Sequence, residues 1–276
     1  MGWRGSLALA YRRRGDQTIV LDRHDGPLRV LRSLHPEGPG VCHSVLVHPP
    51  GGIVGGDVLQ LDVTLAAGAH ALVTTPGATR FYRSAGATAE QSLQVHAEAG
   101  SRLEWLPLET LAYSGCLATN RMRFDLRPGA EMIGWDVTAL GLPLSALPFD
   151  AGSFTQSVDL PGRWVERGVV RADDHRLLDS PLGWAGQRVL GILWFAAGHA
   201  LEPARRDALL GAARAVVRDD ALAARSGATS PQASVVVLRT LGPGVEPAMS
   251  LMRRVWSAWR RLAWDLDASP PRVWRT

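Results

Sequence analysis

The feature that most limits what this chain can become is an alternation that returns three times. Leu59, Leu61, Val63 and Leu65 fall on one face of an extended segment, while Gln60, Asp62 and Thr64 fall on the other. Gly68 then turns the chain and residues 69–74 return. In the next unit Leu93, Val95 and Ala97 oppose Glu90, Ser92, Gln94 and His96; Gly100 turns and residues 103–106 return. In the third, Met122, Phe124 and Leu126 oppose Arg121, Arg123 and Asp125; Gly129 turns and residues 131–137 return. A spacing of roughly thirty residues predicts one supersecondary unit stacked on the next. The fold class expected is mainly β: a superhelical, β-helix-like stack of strand–turn–strand units, each read as a hairpin.

The flanking segments support this. Leu7, Leu9 and Tyr11, the turn Arg14-Gly15-Asp16, and residues 18–21 read as an opening hairpin. Residues 28–34 and 41–47 read as extended, on either side of the Pro- and Gly-rich loop 35–40. Residues 154–160 and 163–171 read as a strand pair around Pro161-Gly162, and 189–195 as a buried strand. The period then changes. Leu209, Ala213, Val216 and Val217 predict a helix within 202–221, and residues 234–238 a strand. Met249, Met252, Val255, Trp256 and Trp259 lie along one face of a second helix, 246–262, and read as core. No linker-like stretch divides residues 1–276, so a single domain is expected.

All 30 of the Lys and Arg positions are arginine. Without lysine there is no Schiff base, no pyridoxal anchor and no phosphate-binding lysine loop. The arginines are scattered, which argues against nucleic acid and suits an acidic protein partner. Two cysteines, Cys42 and Cys116, are too few for a disulfide framework. With no leader-like segment and no apolar run long enough to span a bilayer, a cytoplasmic location away from membranes is expected.

His48-Pro49-Pro50-Gly51-Gly52-Ile53-Val54-Gly55-Gly56-Asp57 is the most unusual local stretch. Its Gly-Gly-x-x-Gly-Gly spacing leads into a strand, whereas a dinucleotide loop leads into a helix. A turn that positions Asp57 is the better reading. Cys42, His43 and His48 are metal-ligating types, but Cys42 and His48 are separated by ~20 Å on one extended strand and cannot chelate together. Within residues 75–84, Phe81 and Tyr82 between arginines suggest exposed interface anchors, as do the late tryptophans. Ser84 and Thr79 carry hydroxyls without a Gly-x-Ser-x-Gly elbow. The acids Asp57, Glu104, Glu109, Asp136 and Glu166 sit beside glycine loops, tryptophans or core-like strand. As a set they suit three readings: arginine-paired structural acids, paired carboxylates for glycoside chemistry, or a hydrophilic path for a divalent cation.

At these residues the chain resembles the urease accessory protein D family (UreD, also called UreH). The resemblance rests on His48 to Asp57, Thr75-Pro76-Gly77-Ala78-Thr79-Arg80-Phe81-Tyr82-Arg83-Ser84, Glu104-Trp105-Leu106-Pro107, Trp135-Asp136 with Gly141 and Pro143, and Pro271-Arg272-Val273-Trp274. Gly26-Pro27-Leu28 extends it, and it weakens between Asp174 and Ala233. It implies a non-enzymatic scaffold, a β-strand superhelix with two helices. Such a scaffold binds apo-urease and joins it to accessory protein F and, through F, to the GTPase accessory protein G. Nickel in transit would pass through a water-filled tunnel. The tunnel residues would match Asp57, Thr79, Asp136 and Glu166; a serine also occurs at the place of Thr79. Dispersed single carboxylates suit transit because each binds weakly enough to release. The alternative is a carbohydrate-active β-helix enzyme using two carboxylates from Asp57, Asp136 and Glu166.

Overall fold

The computed structural model describes residues 2–275. The chain opens with the antiparallel pair β1 (Arg4–Arg14) and β2 (Gln17–Asp25), followed by the antiparallel pair β3 (Arg29–Leu34) and β4 (Val41–Val47). The first repeat supplies β5 (Val58–Leu65), β6 (His70–Thr74) and β7 (Thr79–Phe81). The second supplies β8 (Ala89–Ala97), β9 (Arg102–Trp105) and β10 (Thr110–Ala112), and the third β11 (Cys116–Leu126) and β12 (Glu131–Leu140).

The repeats are not hairpins, contrary to the expectation from sequence. The two strands beside each glycine turn lie in different sheets. β5, β8 and β11 stack in parallel with β1, and β6, β9 and β12 stack in parallel on β4. β7, β10 and the end of β12 form a short third side. Gly68, Gly100 and Gly129 adopt φ of +72°, +72° and +88°, the left-handed backbone that lets each corner turn sharply. The corners themselves stack, with Gly100 N–H donating to the Gly129 carbonyl at 3.1 Å. Each strand thus satisfies its backbone groups with its counterpart one repeat away. Its apolar face meets the opposite wall, which a two-stranded hairpin could not provide. The result is a β-solenoid of about four turns.

The first wall ends in β13 (Gly152–Leu160), parallel to β11, and β14 (Trp164–Arg171), antiparallel at the free edge. After a short helix α1 (His175–Asp179), β15 (Val189–Ala197) pairs antiparallel with β12. Helix α2 (Pro203–Arg218), β16 (Ser226–Gln232), β17 (Val235–Gly242) and helix α3 (Val245–Trp264) complete the fold. β17 and β16 extend the second wall, so at one end of the fold β14 is the free edge of the first wall and β16 that of the second. Both helices occur where the change of period predicts them. α1 and β16 carry no comparable signal.

All ten residues of β12 are buried because both of its faces are covered. Met132 and Leu140 face the interior, whereas Ile133, Trp135, Val137 and Ala139 face the helices. Met249, Met252, Val255, Trp256 and Trp259 are core, as their spacing predicts. Of the expected surface anchors, Phe81 is fully buried against Phe154, Tyr82 is half-buried, and the late tryptophans, including Trp264 and Trp274, pack inside. Aromatics flanked by arginine here mark a corner of the solenoid where the chain dips inward.

A buried polar cluster fastens α3 to the second wall. Glu104 accepts from His70 Nε2 at 2.8 Å and Trp256 Nε1 at 2.6 Å, and lies 3.3 Å from the fully buried Arg260. Arg260 donates to Glu37 at 2.6 Å, and Glu37 contacts His43 at 2.5 Å. Burial raises the Glu37 carboxyl's pKa, but His43 and Arg260 more than offset it and hold the group below its ordinary range. Glu104 is thus a structural acid.

Candidate functional site

The glycine-rich loop builds the rim of a cavity of about 220 Å³ inside the solenoid. Gly51 and Gly56 take φ of +81° and +94°. A Cβ on Gly52 would lie 2.1 Å from the Tyr82 ring, so glycine is required for this loop to pack on residues 75–84. Ile53 bridges to Phe81, and Ser84 Oγ is engaged by Ala87 O and the Gly86 N–H in a local turn. Asp57 is buried and closes the loop: its carboxylate accepts from Trp3 N–H at 2.7 Å and Val54 N–H at 2.9 Å. It lies behind the cavity wall, close enough to attract the His48 imidazolium. Burial is the larger influence and pushes the His48 pKa down, so this cavity-lining ring is favoured neutral.

Thr79 and Asp136 both line the cavity, with His48, Gln91, Trp105, Thr110 and Asn120. Thr79, Thr110 and Thr138 stand in register on the third side, one per strand. Thr138 Oγ1 donates to Asp136 Oδ2 at 2.9 Å. Across the interior, Gln91, Asn120 and Gln156 stand in register on β8, β11 and β13. Gln91 Nε2 donates to Asn120 Oδ1 at 3.3 Å. Among the described residues the buried Trp105 indole N–H has no hydrogen-bond partner, and the buried Gln156 amide, with none of good geometry, lies close enough to Asp136 to favour its carboxylate. A solenoid interior is ordinarily apolar, so this belt of amides and hydroxyls costs stability unless it serves a polar occupant.

Asp136 is the acid at the centre of the belt. Burial raises its pKa from 3.8 to about 6, against the Thr138 hydrogen bond and the neighbouring Gln156 amide. No arginine forms an ion pair with it among the described residues. That separates Asp136 from Glu166, which faces the interior from β14 and is held by Arg239 of β17 through two contacts of 2.9 and 2.5 Å.

The four sequence-derived residues therefore occupy three situations. Thr79 and Asp136 share the cavity, Asp57 braces its rim, and Glu166 sits at the far edge of the walls. Of the three acids only Asp136 lines the cavity, so no carboxylate pair faces a common sugar-sized space there. No three His, Cys, Asp or Glu among the described residues gather to hold a metal ion. Cys42 and Cys116 are free and buried, and burial raises both thiol pKa values, that of Cys116 to about 11. Among the described residues no helix is long and apolar enough to cross a membrane. The alternation pattern left Gln91, Asn120, Gln156, Thr110 and Thr138 unnoticed. Their signal was the repeat period itself, which places Thr79, Thr110 and Thr138 at matching corners.

The fold and site define a class: a β-solenoid with a polar interior belt, a buried cavity-lining carboxylate without an ion pair and, among the described residues, no assembled chelating cluster. The sequence profile described as "UreD urease accessory protein" matches residues 4–275, and the chain belongs to that family. Proteins named urease accessory protein UreD are similar to it over their whole length. The relative from Leptothrix cholodnii is 58% identical over 278 residues, covering 100% of both chains. Those from Polaromonas naphthalenivorans and Paracidovorax citrulli are 56% and 58% identical over 274 residues, covering 99% of each chain.

Proposed function

We propose that this chain is a urease maturation scaffold that passes nickel ions through its polar interior to apo-urease. It does so in a complex with accessory protein F and, through F, the GTPase accessory protein G. Family membership supports the urease role. The observation that carries the transit reading is the unpaired, buried Asp136 among Gln91, Asn120, Thr79 and Thr138. A structural acid would be expected to have a cationic partner, as Glu104 does, or backbone donors, as Asp57 does. An enzyme acid would be expected to face a second carboxylate or a nucleophile.

Nickel accepts oxygen ligands and its own water shell. A lone carboxylate with flanking amides and hydroxyls offers favourable charge without a coordination cage, so an ion can enter and leave. His48, favoured neutral, adds no positive charge to the one that Arg80 brings to the lining. Asp57 adds negative potential behind it.

The test is urease activation in cells carrying Asp136→Asn, alone and combined with Asp57→Asn. Urease nickel content and activity should fall, most in the double variant, while pull-down of urease and accessory protein F continues. Normal nickel loading in the double variant would refute transit through this interior. Loss of pull-down would instead point to a scaffold defect.

A further inference from the structure

The polar belt does not end at Asp136. In the second wall Asp136 stands opposite Ile192, Ile192 opposite Arg239, and Arg239 opposite Gly227. In the first wall the row runs Asn120, Gln156, Gly168. Both rows therefore finish in glycine on the free edge strands β14 and β16. A Cβ added at either Gly168 or Gly227 would meet nothing within 4 Å. The walls are thus open at this level, next to the buried Gln156 amide, itself beside Asp136. Across this opening Glu166 reaches from one wall and Arg239 from the other. Among the described residues their bidentate pair is the one ionic contact between the two free ends, with side chains about a quarter to a third exposed. Arg239 also reaches Thr229 of β16 at 3.5 Å.

We propose that the polar passage has a second mouth between β14 and β16–β17, floored by Gly168 and Gly227, and that the Glu166–Arg239 pair is its gate. This rests on the passage reading above. The solute class is a divalent cation in its water shell. Closed, the pair crosses the opening and sets a guanidinium in the cation's way. Open, Glu166 is freed as a carboxylate at the mouth and Arg239 swings towards solvent. Thr229 and the space at Gly227 accept it there without a clash. A pair exposed by about a quarter to a third suits the role because solvent competes for both partners, so the contact breaks and reforms readily.

The gate is testable without nickel or urease. Gln156→Cys places a thiol just inside the mouth of the full-length protein. Alkylation by iodoacetamide, mapped by peptide mass, reports access, and buried Cys42 and Cys116 report any unfolding in the same sample. Arg239→Gln should speed labelling at position 156 about fivefold, the population change expected for loss of a contact of about 1 kcal/mol. Gly168→Trp should fill the opening and slow labelling towards the rate of Cys116. An unchanged rate in both variants would overturn the gate, because the thiol would then be reached from the cavity end. If Arg239→Gln also labels Cys42 and Cys116, the Gly168→Trp arm decides alone: slowing supports the mouth, and no slowing overturns it. Failure here removes the mouth and leaves the nickel reading standing. Successful gating with normal nickel loading in the Asp136→Asn, Asp57→Asn protein does the reverse.

Discussion

Asp136→Asn is expected to stabilise the protein while impairing its function. The carboxyl is ordinary in the unfolded chain, at 3.8, and raised to about 6 in the fold by burial. A raised acid pKa means the folded state binds more protons between these values, so stability falls as pH climbs through that window. Above pH 6 the full penalty is present, about 3 kcal/mol from 1.36 kcal/mol per pH unit. Asparagine has nearly the same shape and carries no charge. Its amide can still accept from Thr138. The variant should therefore gain up to about 3 kcal/mol at pH 8, roughly half of that at pH 5, and little near pH 3. Urea unfolding of both proteins across this range, fitted with a common slope, measures the difference. A gain independent of pH, or a loss at pH 8, would refute the reasoning, because Asp136 would then be stabilised as a carboxylate. The stability result also guards the functional test: a stabilised protein that fails to load nickel has not failed by unfolding.

Glu104→Ala should cost about 3–5 kcal/mol, since it removes the carboxylate that offsets the Arg260 charge and accepts from His70 and the Trp256 N–H. Urea unfolding is the measurement, and a loss under about 1 kcal/mol would show that the cluster relaxes or hydrates. Trp274→Ala should cost about 3–5 kcal/mol by opening a void against Trp135 and Trp256 and releasing the Thr74 hydroxyl; the fall in Tm reports it. Gly52→Ala should cost about 1–3 kcal/mol through its clash with the Tyr82 ring. Adding Tyr82→Ala should recover part of that, measured as a double-mutant cycle.

The walls were legible because their residues alternate: Leu59 to Leu65 and Met122 to Leu126 face one interior, and period-two spacing reports facing directly. Pairing was not legible. Alternation says which side of a strand is buried and nothing about whether its neighbour is the next strand or the next repeat. Gly68, Gly100 and Gly129 fit a hairpin or a corner equally well. The loop before Asp57 could be placed as a turn, yet its dependence on Tyr82 needed the fold. Asp136 and Glu166 looked alike in sequence, each an acid in a core-like strand. They differ through Arg239, a residue more than seventy positions from Glu166 and in another sheet. Polar residues on an otherwise apolar face, such as Asn120 and Gln156, drew no notice because each interrupts its own strand only once.

The cluster that fastens α3 has a bearing on how the chain is made. Parallel rungs can stack one after another as they leave the ribosome, each templated by the rung before it. The outer face of the second wall gains nothing from this. Leu72, Leu106, Ile133 and Trp135 stay uncovered until the late helices arrive. Arg260 meets Glu37 across 223 positions, and Trp274 meets Thr74 across 200. A nascent chain therefore carries stacked rungs with a bare apolar side until the two late helices, Pro203–Arg218 and Val245–Trp264, have been made. It is during that interval, not after release, that it depends most on chaperones or on an early partner to stay out of aggregates.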